Sequence, residues 1–493
     1  MLSNKNFLTF MALSAIYLLG LNSCNSKKQK REEVLYNQYC ASCHIVPKID
    51  ELPKDIWENS ILPDMLSRMD IEEMYQNPIT AKSGFRPKIK LQDWLLLKNY
   101  IISLAPDKLP LTQLPNNSII EQFHSKPLAL DDQNGAFITY LESDQQRLFF
   151  GDISSSLRSY NFNSNNITQH YQGKTPITWF NHQESLEIVT EVGILDPSEL
   201  EQGKLFSKIS GDTLGLSIKF HRPVHTLVED LNKDGKQELV VSEFGDKTGS
   251  LSLLIKNDSM GYYKKELLNQ PGCIRTIAKD MNKDGRTDLI TLTSQAMESI
   301  TILYQEDNLK FRADKVLEFR SVYGSSWYEL VDYNGDGFDD IITVNGDNAD
   351  KSYVHKPYHG MRIHLNDGSN NFKETYFYPL NGATRVLARD FDQDGDVDFG
   401  LISTFPDYEK APELSFVYLE NKDSKNYNFT TKVLTDPNAG RWFLMDAADI
   451  DSDGDEDIIL SSFTYVFTPV PKDLSKRWSE NNVDILILEN KLN

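Results

Sequence analysis

Between residues 119 and 493, apolar runs of four to six residues such as "LVVSEF", "LITLTS" and "IITVNG" recur, each just after a cluster of Asp, Asn and Gly. Short apolar runs rich in β-branched residues and bounded by turn formers predict strands. The C-terminal "VDILILENKLN" shows the alternation again, and it predicts a strand that closes the array against one from its start. The first hundred residues are patterned differently. In "LQDWLLLKNYIISLAP", Trp94, Leu97, Ile101 and Leu104 recur at steps of three and four and stop at Pro106, the period of a helix. "KREEVLYNQYC" predicts a second helix with Val34, Leu35 and Tyr39 on one side. Ahead of both, the apolar run Phe7 to Leu21 follows Lys5. At about 15 apolar residues it is short for a membrane span and reads as an export signal, an uncleaved anchor being the alternative.

Five of the polar clusters share one pattern, D-x-[DN]-x-D-G-x-x-[DE]-[LIF], and begin at Asp230, Asp280, Asp332, Asp390 and Asp449. Their starts are 50, 52, 58 and 59 residues apart, so the region is an array of similar units rather than one enzyme core. Side-chain oxygens at alternate positions around a glycine turn suit calcium, which takes about six to eight oxygens. The first loop offers Asp230, Asn232, Asp234, Glu238 and the carbonyl of Lys236, and the second Asp280, Asn282, Asp284, Asp288 and the carbonyl of Arg286. The third offers Asp332, Asn334, Asp336, Asp340 and the carbonyl of Phe338. The fourth has Asp390, Asp392, Asp394, Asp398 and the carbonyl of Asp396, and the fifth Asp449, Asp451, Asp453, Asp457 and the carbonyl of Asp455. An EF-hand needs a glutamate at position 12 between two helices; strands follow here.

The repeat resembles the FG-GAP or VCBS type, whose blades form β-propellers like the head of the integrin α-subunit. The resemblance implies an all-β propeller over 119–493, and a spacing of about 55 residues divides it into about seven blades. Two precede Asp230, where "LDDQNGAFITYLES" and "WFNHQESLEIVTEVGIL" read as blades that lack the ligand set.

The four cysteines are not a disulfide framework. Leu21, Ser23 and Cys24 resemble a bacterial lipobox, with Asn22 a departure, which implies cleavage to a lipidated Cys24 and an exported, membrane-anchored protein. Cys40, Cys43 and His44 form C-x-x-C-H in "YCASCHIVP". Two thiols about one helical turn apart suit two thioether bonds to one haem c, and His44 then offers its imidazole to the iron. A thioredoxin-type motif is the rival, but it needs a βαβ setting. The helical flanks resemble a small monohaem cytochrome c. Met65, Met69 and Met74 are candidates for the sixth ligand, and "W…LPxM" from Trp57 resembles cytochrome domains fused to aspartate-rich repeats, which implies Met65. Pro47 is the expected carbonyl partner of the other His44 nitrogen. Cys273 is left single.

The formal net charge is −21. The acidic side chains of the five loops account for much of it, about five calcium ions would offset part of it, and the same acidity disfavours a nucleic-acid partner. One stretch departs from the repeat: "VNGDNADKSYVHKPYHG" gathers Asp347, Asn348, Asp350, Tyr358 and His359 as a candidate ligand or metal site. It carries no Ser-His-Asp order, phosphate loop or zinc spacing. The expected organisation is a multidomain chain: signal 1–23, lipidated tether 24–31, a small all-α cytochrome c domain 32–106, linker 107–118 and an all-β propeller 119–493. The expected function is single-electron transfer with a redox partner protein or a small-molecule donor. The alternatives are an oxidoreductase whose propeller face feeds the haem, and an adhesion or glycan-binding propeller.

Overall fold

The structure is a computed structural model. It describes residues 31–492, apart from Cys43, 72–87, 184–185, 208–212, 215–217, 258–260, 296, 348–352 and 466–467. The proposed signal, Cys24, Cys43, Met74, Asn348 and Asp350 therefore lie outside the described residues. The chain divides into two compact units, Met1–Leu109 and Pro110–Asn493.

The first unit has a helix over 31–40, a helical run Lys54–Ile56, Trp57–Ile61 and Leu62–Ser67 whose middle turn is widened to π geometry, and a helix Leu91–Leu104. It is not purely helical: Asp70–Ile71 pairs in parallel with Lys88–Ile89. Leu35, Tyr36, Cys40, Leu52, Trp57, Leu62, Trp94, Leu97 and Ile101 are buried. The Trp57 indole N–H donates to the Ile49 carbonyl at 2.9 Å, which satisfies its one polar atom. Two expected members of the helix faces point outwards, since Val34 is 57% and Leu104 49% exposed. Tyr36 and Cys40 hold the inward face of the first helix instead, a choice that helical periodicity alone leaves open.

The second unit is a seven-bladed β-propeller. The first blade contains Ile138–Ser143, Arg147–Asp152, Ser156–Asn161 and Ile167–Gln172, and the second contains Ile177–Gln183, Leu186–Glu191, Lys204–Ser207 and Thr213–Leu214. Blades three to five begin at Pro223, Cys273 and Ser325 and have four antiparallel strands each. Blade six, from Ala383, gains Asn117–Ile119 as a fifth strand, parallel to Asn428–Val433, so the segment expected as linker already enters the sheet at its end. Blade seven takes Trp442–Ala448, Asp457–Ser462 and Ile485–Glu489 from the C-terminus and His124–Leu128 from the start of the unit. Ser125 faces Leu488 in an antiparallel pair, the closure that the C-terminal alternation predicts.

Burial explains the strand patterns. In blades three to seven all six residues of the second strand are buried, which is why these segments read as unbroken apolar runs. The outer strand Tyr262–Leu268 meets solvent, and none of its residues is buried. Seven apolar clusters lie between successive blades; one joins Ile342, Val344 and Ile363 to Phe399, Leu401 and Val417, and another joins Ile138 and Phe150 to Ile459 and Ile487 across the closure. Because neighbouring strands are antiparallel, the loops after first strands leave one end of the ring. The connections after second strands leave the other. All five aspartate loops occupy the first end, and residues 346–347 and 353–359 the second. At that second end blade seven also carries an unexpected helix, Lys472–Asn481, capped by Pro471 and anchored by the buried Trp478, whose indole donates to the Asn438 carbonyl at 3.1 Å.

Leu488→Ala removes a fully buried side chain from the closing sheet and is expected to cost about 2–5 kcal/mol. Ile119→Ala, at a half-exposed position in the added strand, should cost less than about 1 kcal/mol. Denaturant midpoints with matched slopes test the contrast, and equal effects would show that closure of blade seven is not a principal source of stability.

Candidate functional site

Each aspartate loop wraps around its own carboxylates. The first aspartate accepts the backbone N–H of position five with one oxygen and that of the glycine at six with the other, at 2.8–3.2 Å in all five loops. Position five in turn accepts the N–H of position seven at 2.9–3.2 Å. Two residues per loop adopt left-handed backbone. The glycine at six has φ from +84° to +100°, and position four is left-handed too, although it is Lys233, Lys283, Gln393 or Ser452 in four loops and Gly335 in the third. A β-carbon there is disfavoured by roughly 1–2 kcal/mol, so the loops keep this winding against a local cost.

The winding turns oxygens inwards. Carboxylate oxygens of Asp390, Asp392 and Asp398 lie within 4.8 Å of one another, as do those of Asp449, Asp451 and Asp453. Burial, then the adjacent carboxylates, pushes Asp396 up to about 6. Burial also moves Asp392 and Asp451 upwards, with neighbouring aspartates adding to it. Crowded acids of this kind are what a divalent cation relieves, and the donor set is all oxygen, as hard cations require.

Position nine has a structural role besides its expected one. Glu238, Asp288, Asp340, Asp398 and Asp457 are buried at the start of the second strand. In each loop one oxygen accepts the N–H of position two at 3.0–3.2 Å. In the last four loops the other oxygen accepts an N–H of the third strand, from Gln305, Asn366, Asn421 or Asn490, at 2.7–2.8 Å. The side chain is a clamp between loop and sheet, and only Asp398 also joins a cluster of three acids. Burial raises Asp340 to about 6 and Glu238, Asp398 and Asp457 to about 7. Position two is a buried plug in every loop: Leu231, Met281, Tyr333, Phe391 and Ile450. The sequence signal for this plug is the apolar or aromatic residue that follows the first aspartate of every loop.

The loops also hold one another. Lys233 donates to the Gly285 carbonyl of the next loop at 2.6 Å, Lys283 to that of Gly337 at 3.2 Å, and Gln393 to that of Gly454 at 2.9 Å. Lys283 also lies 3.7 Å from the centre of the Phe338 ring. Gly335 has no side chain to continue the series.

In the first unit, Cys40 is buried at the end of its helix, and burial pushes its thiol up to about 12. His44 Nδ1 lies 2.8 Å from the Ile45 carbonyl. A carbonyl at Nδ1 fixes that nitrogen as the N–H and leaves Nε2 as the ligating lone pair. The expected partner, Pro47, is occupied otherwise: its carbonyl accepts the Tyr36 hydroxyl. Met65 is half-buried on Leu62–Ser67, and Met69 is buried just beyond it. Cys273 is packed in the core between blades three and four.

The 346–359 connection is less open than its polarity suggested. His359 is fully buried, and the Tyr358 ring stacks on Tyr323 at 5.2 Å. The Tyr358 carbonyl accepts a 2.7 Å bond from Arg362, whose second terminal nitrogen donates to Asn345 at 2.9 Å. Lys356 is buried and lowered to about 8 by burial, against the pull of Glu298 and Asp347. Glu298 accepts the Gly324 and Ser325 N–H groups and the Ser325 hydroxyl at 2.6–3.1 Å. Here Tyr358 and His359 contribute to the packing of the fold.

Residues 280–343 and 332–401 match the FG-GAP-like repeat, spanning the second to fourth aspartate loops. No curated protein matches the chain. Among solved structures it is similar to the N-terminal domain of Nup159, with 13% identity, 77% of this chain and 99% of that chain covered, and a TM-score of 0.41. It is also similar to the Neurospora crassa Pan2 WD40 domain, with 11% identity, 77% and 98% covered, and a TM-score of 0.43.

The clamp predicts a separation between positions nine and five. With chelator present, Asp340→Asn sets an amide N–H against one of two backbone donors and is expected to cost about 1–3 kcal/mol. Asp336→Asn, at an exposed position, should stay near 0.5 kcal/mol. Chemical denaturation of both variants checks this, and equal losses would remove the clamp.

Proposed function

We propose that this protein is an exported, lipid-anchored electron carrier of the cytochrome c kind whose seven-bladed propeller, held by calcium in its aspartate loops, docks a redox partner. The observation that carries the electron-transfer reading is the C-x-x-C-H motif at the end of a helix, with His44 Nδ1 held by a carbonyl so that Nε2 is free to ligate. Cys40 and Cys43 are the thioether sites, and Met65 is the assigned sixth ligand. A bound haem c supplies reversible one-electron exchange. The chain's own part is to orient the imidazole, exclude water with Trp57, Leu97 and Ile101, and present the unit to a partner.

Calcium in the loops is supported by the convergence of three carboxylates within 4.8 Å in the two most acidic loops, where burial and then neighbouring aspartates shift the pKa of Asp392 and Asp451 upwards. A second reading, an adhesion or ligand-binding propeller, is favoured by the matched repeat, which lies wholly in the propeller. Reduction of the purified protein by a small molecule without a partner would instead support an oxidoreductase.

Two outcomes follow from this reading. Protein made with haem-attachment machinery should carry covalent haem, lost when Cys40 and Cys43 are both serine. Met65→Ala should abolish the weak long-wavelength charge-transfer band of thioether-ligated ferric haem and lower the potential, whereas Met69→Ala and Met74→Ala should not. Loss of the band in one of those two alone would move the ligand there, and absence of covalent haem in the parent protein would end the proposal. For the loops, a cation bound only by the folded state contributes about 2.7 kcal/mol per site at a hundredfold excess over Kd. EGTA should therefore lower Tm strongly, and Asp394→Ala should remove about one calcium by native mass spectrometry. A Tm indifferent to EGTA, with no calcium bound, would refute the calcium sites.

A further inference from the structure

Every blade has the same irregularity in its first strand. The pairing register with the second strand shifts between Ile138 and Tyr140, Ile177 and Trp179, Pro223 and His225, Cys273 and Arg275, Ser325 and Trp327, Ala383 and Arg385, and Trp442 and Leu444. Such a bulge re-aims the side chain that follows it. The seven residues after the shift form one layer around the central channel, near the end opposite the aspartate loops. Neighbours in the layer touch: Tyr140 and Trp179 have ring centroids 5.6 Å apart, and Trp179 and His225 4.2 Å apart. Arg275 and Arg385 lie 4.3 and 4.5 Å from the centre of the Trp327 ring.

The two arginines are not equivalent. Arg275 pairs with Glu329 at 2.8 Å and donates to the Tyr328 carbonyl at 2.8 Å, while the Trp327 indole N–H takes the same Glu329 oxygen at 3.0 Å. Glu329 is thereby committed. Arg385 donates a single hydrogen bond among the described residues, to its neighbour's carbonyl on Thr384 at 2.9 Å. Among the described residues the one carboxylate that acts on it, Asp347, does so from beyond ion-pair contact. A guanidinium has five N–H donors in a planar fork, so most of this fork is unused. In the same layer His225 is buried, and its Nδ1 has no hydrogen-bond partner. In a chain of net charge −21, the layer is a local surplus of positive charge and donors.

We propose that this layer of the central channel binds a small oxyanion, a carboxylate or a phosphate, gripped in bidentate fashion by the Arg385 fork. Arg275 adds its field from the far side of Trp327, and His225 supplies a further polar contact. Fork-to-oxyanion pairs of this kind are short and charge-assisted, and they need the planar geometry of arginine. The site lies at the end of the ring away from the metal loops and does not depend on the electron-transfer reading.

The test is calorimetric titration of the calcium-loaded full chain with inorganic phosphate and, separately, with succinate. At least one probe should bind saturably at one site, and which one does so distinguishes a phosphate from a carboxylate ligand. Arg385→Gln should weaken that binding about tenfold or more, since a hydrogen bond to a charged group is worth about 1.5–3 kcal/mol. Arg385→Lys keeps the charge but loses the fork, should fold where Gln does not, and should also bind about tenfold more weakly. Absence of saturable binding of both probes, or unchanged affinity in the folded variants, overturns the proposal.

Discussion

A blade of this propeller cannot bury both faces of its sheet alone, and this constraint orders the rest of the structure. The apolar side chains of each second strand find cover only against the next blade, so seven sheets require seven interfaces and the ring must close. Closure falls to His124–Leu128, which leaves the start of the unit to complete the sheet of Ile485–Glu489. That exchange pairs a strand edge that would otherwise be open, and it ties the two ends of the unit into one sheet. Asn117–Ile119 extends the same device to blade six.

The ring also sets where chemistry sits. Strand alternation sends all five aspartate loops to one end, where Lys233, Lys283 and Gln393 reach from one loop to the glycine carbonyl of the next. The loops are thus linked as a run of three and a pair rather than standing as five independent turns. The buried acids at position nine couple them to the sheets. They are costly as bare charges, and their backbone donors lessen that cost by fixing the loop against the third strand. The opposite end differs in kind, with the 472–481 helix, a packed Tyr358 and His359, and an arginine that forms no ion pair among the described residues.

The first unit places a C-x-x-C-H motif where a helix ends in a buried Cys40. Its histidine found a nearer carbonyl than the expected one: Ile45 takes Nδ1, and Pro47 is held by Tyr36. The consequence for the imidazole is the same, because either carbonyl fixes the tautomer.

The five loops, their spacing and the closing strand were legible in the residue pattern, and the propeller with its seven blades followed from the repeat's resemblance to the FG-GAP type. These are legible because each depends on local rules: period-two alternation, a glycine where the backbone turns left-handed, acids at fixed odd positions. Tertiary structure alone decided which helix faces are buried, so that Val34 and Leu104 point outwards although they fit the period. It made position nine a clamp as well, because the partner N–H groups of Gln305, Asn366, Asn421 and Asn490 come from 17 to 33 residues further along the chain. It packed His359 into the fold, and it brought Arg275, Trp327 and Arg385 together from three blades. Spacing along the chain records what a residue's near neighbours demand. What lies across a blade interface or around a channel is set by ring closure, which acts between residues far apart in sequence and leaves no period to read.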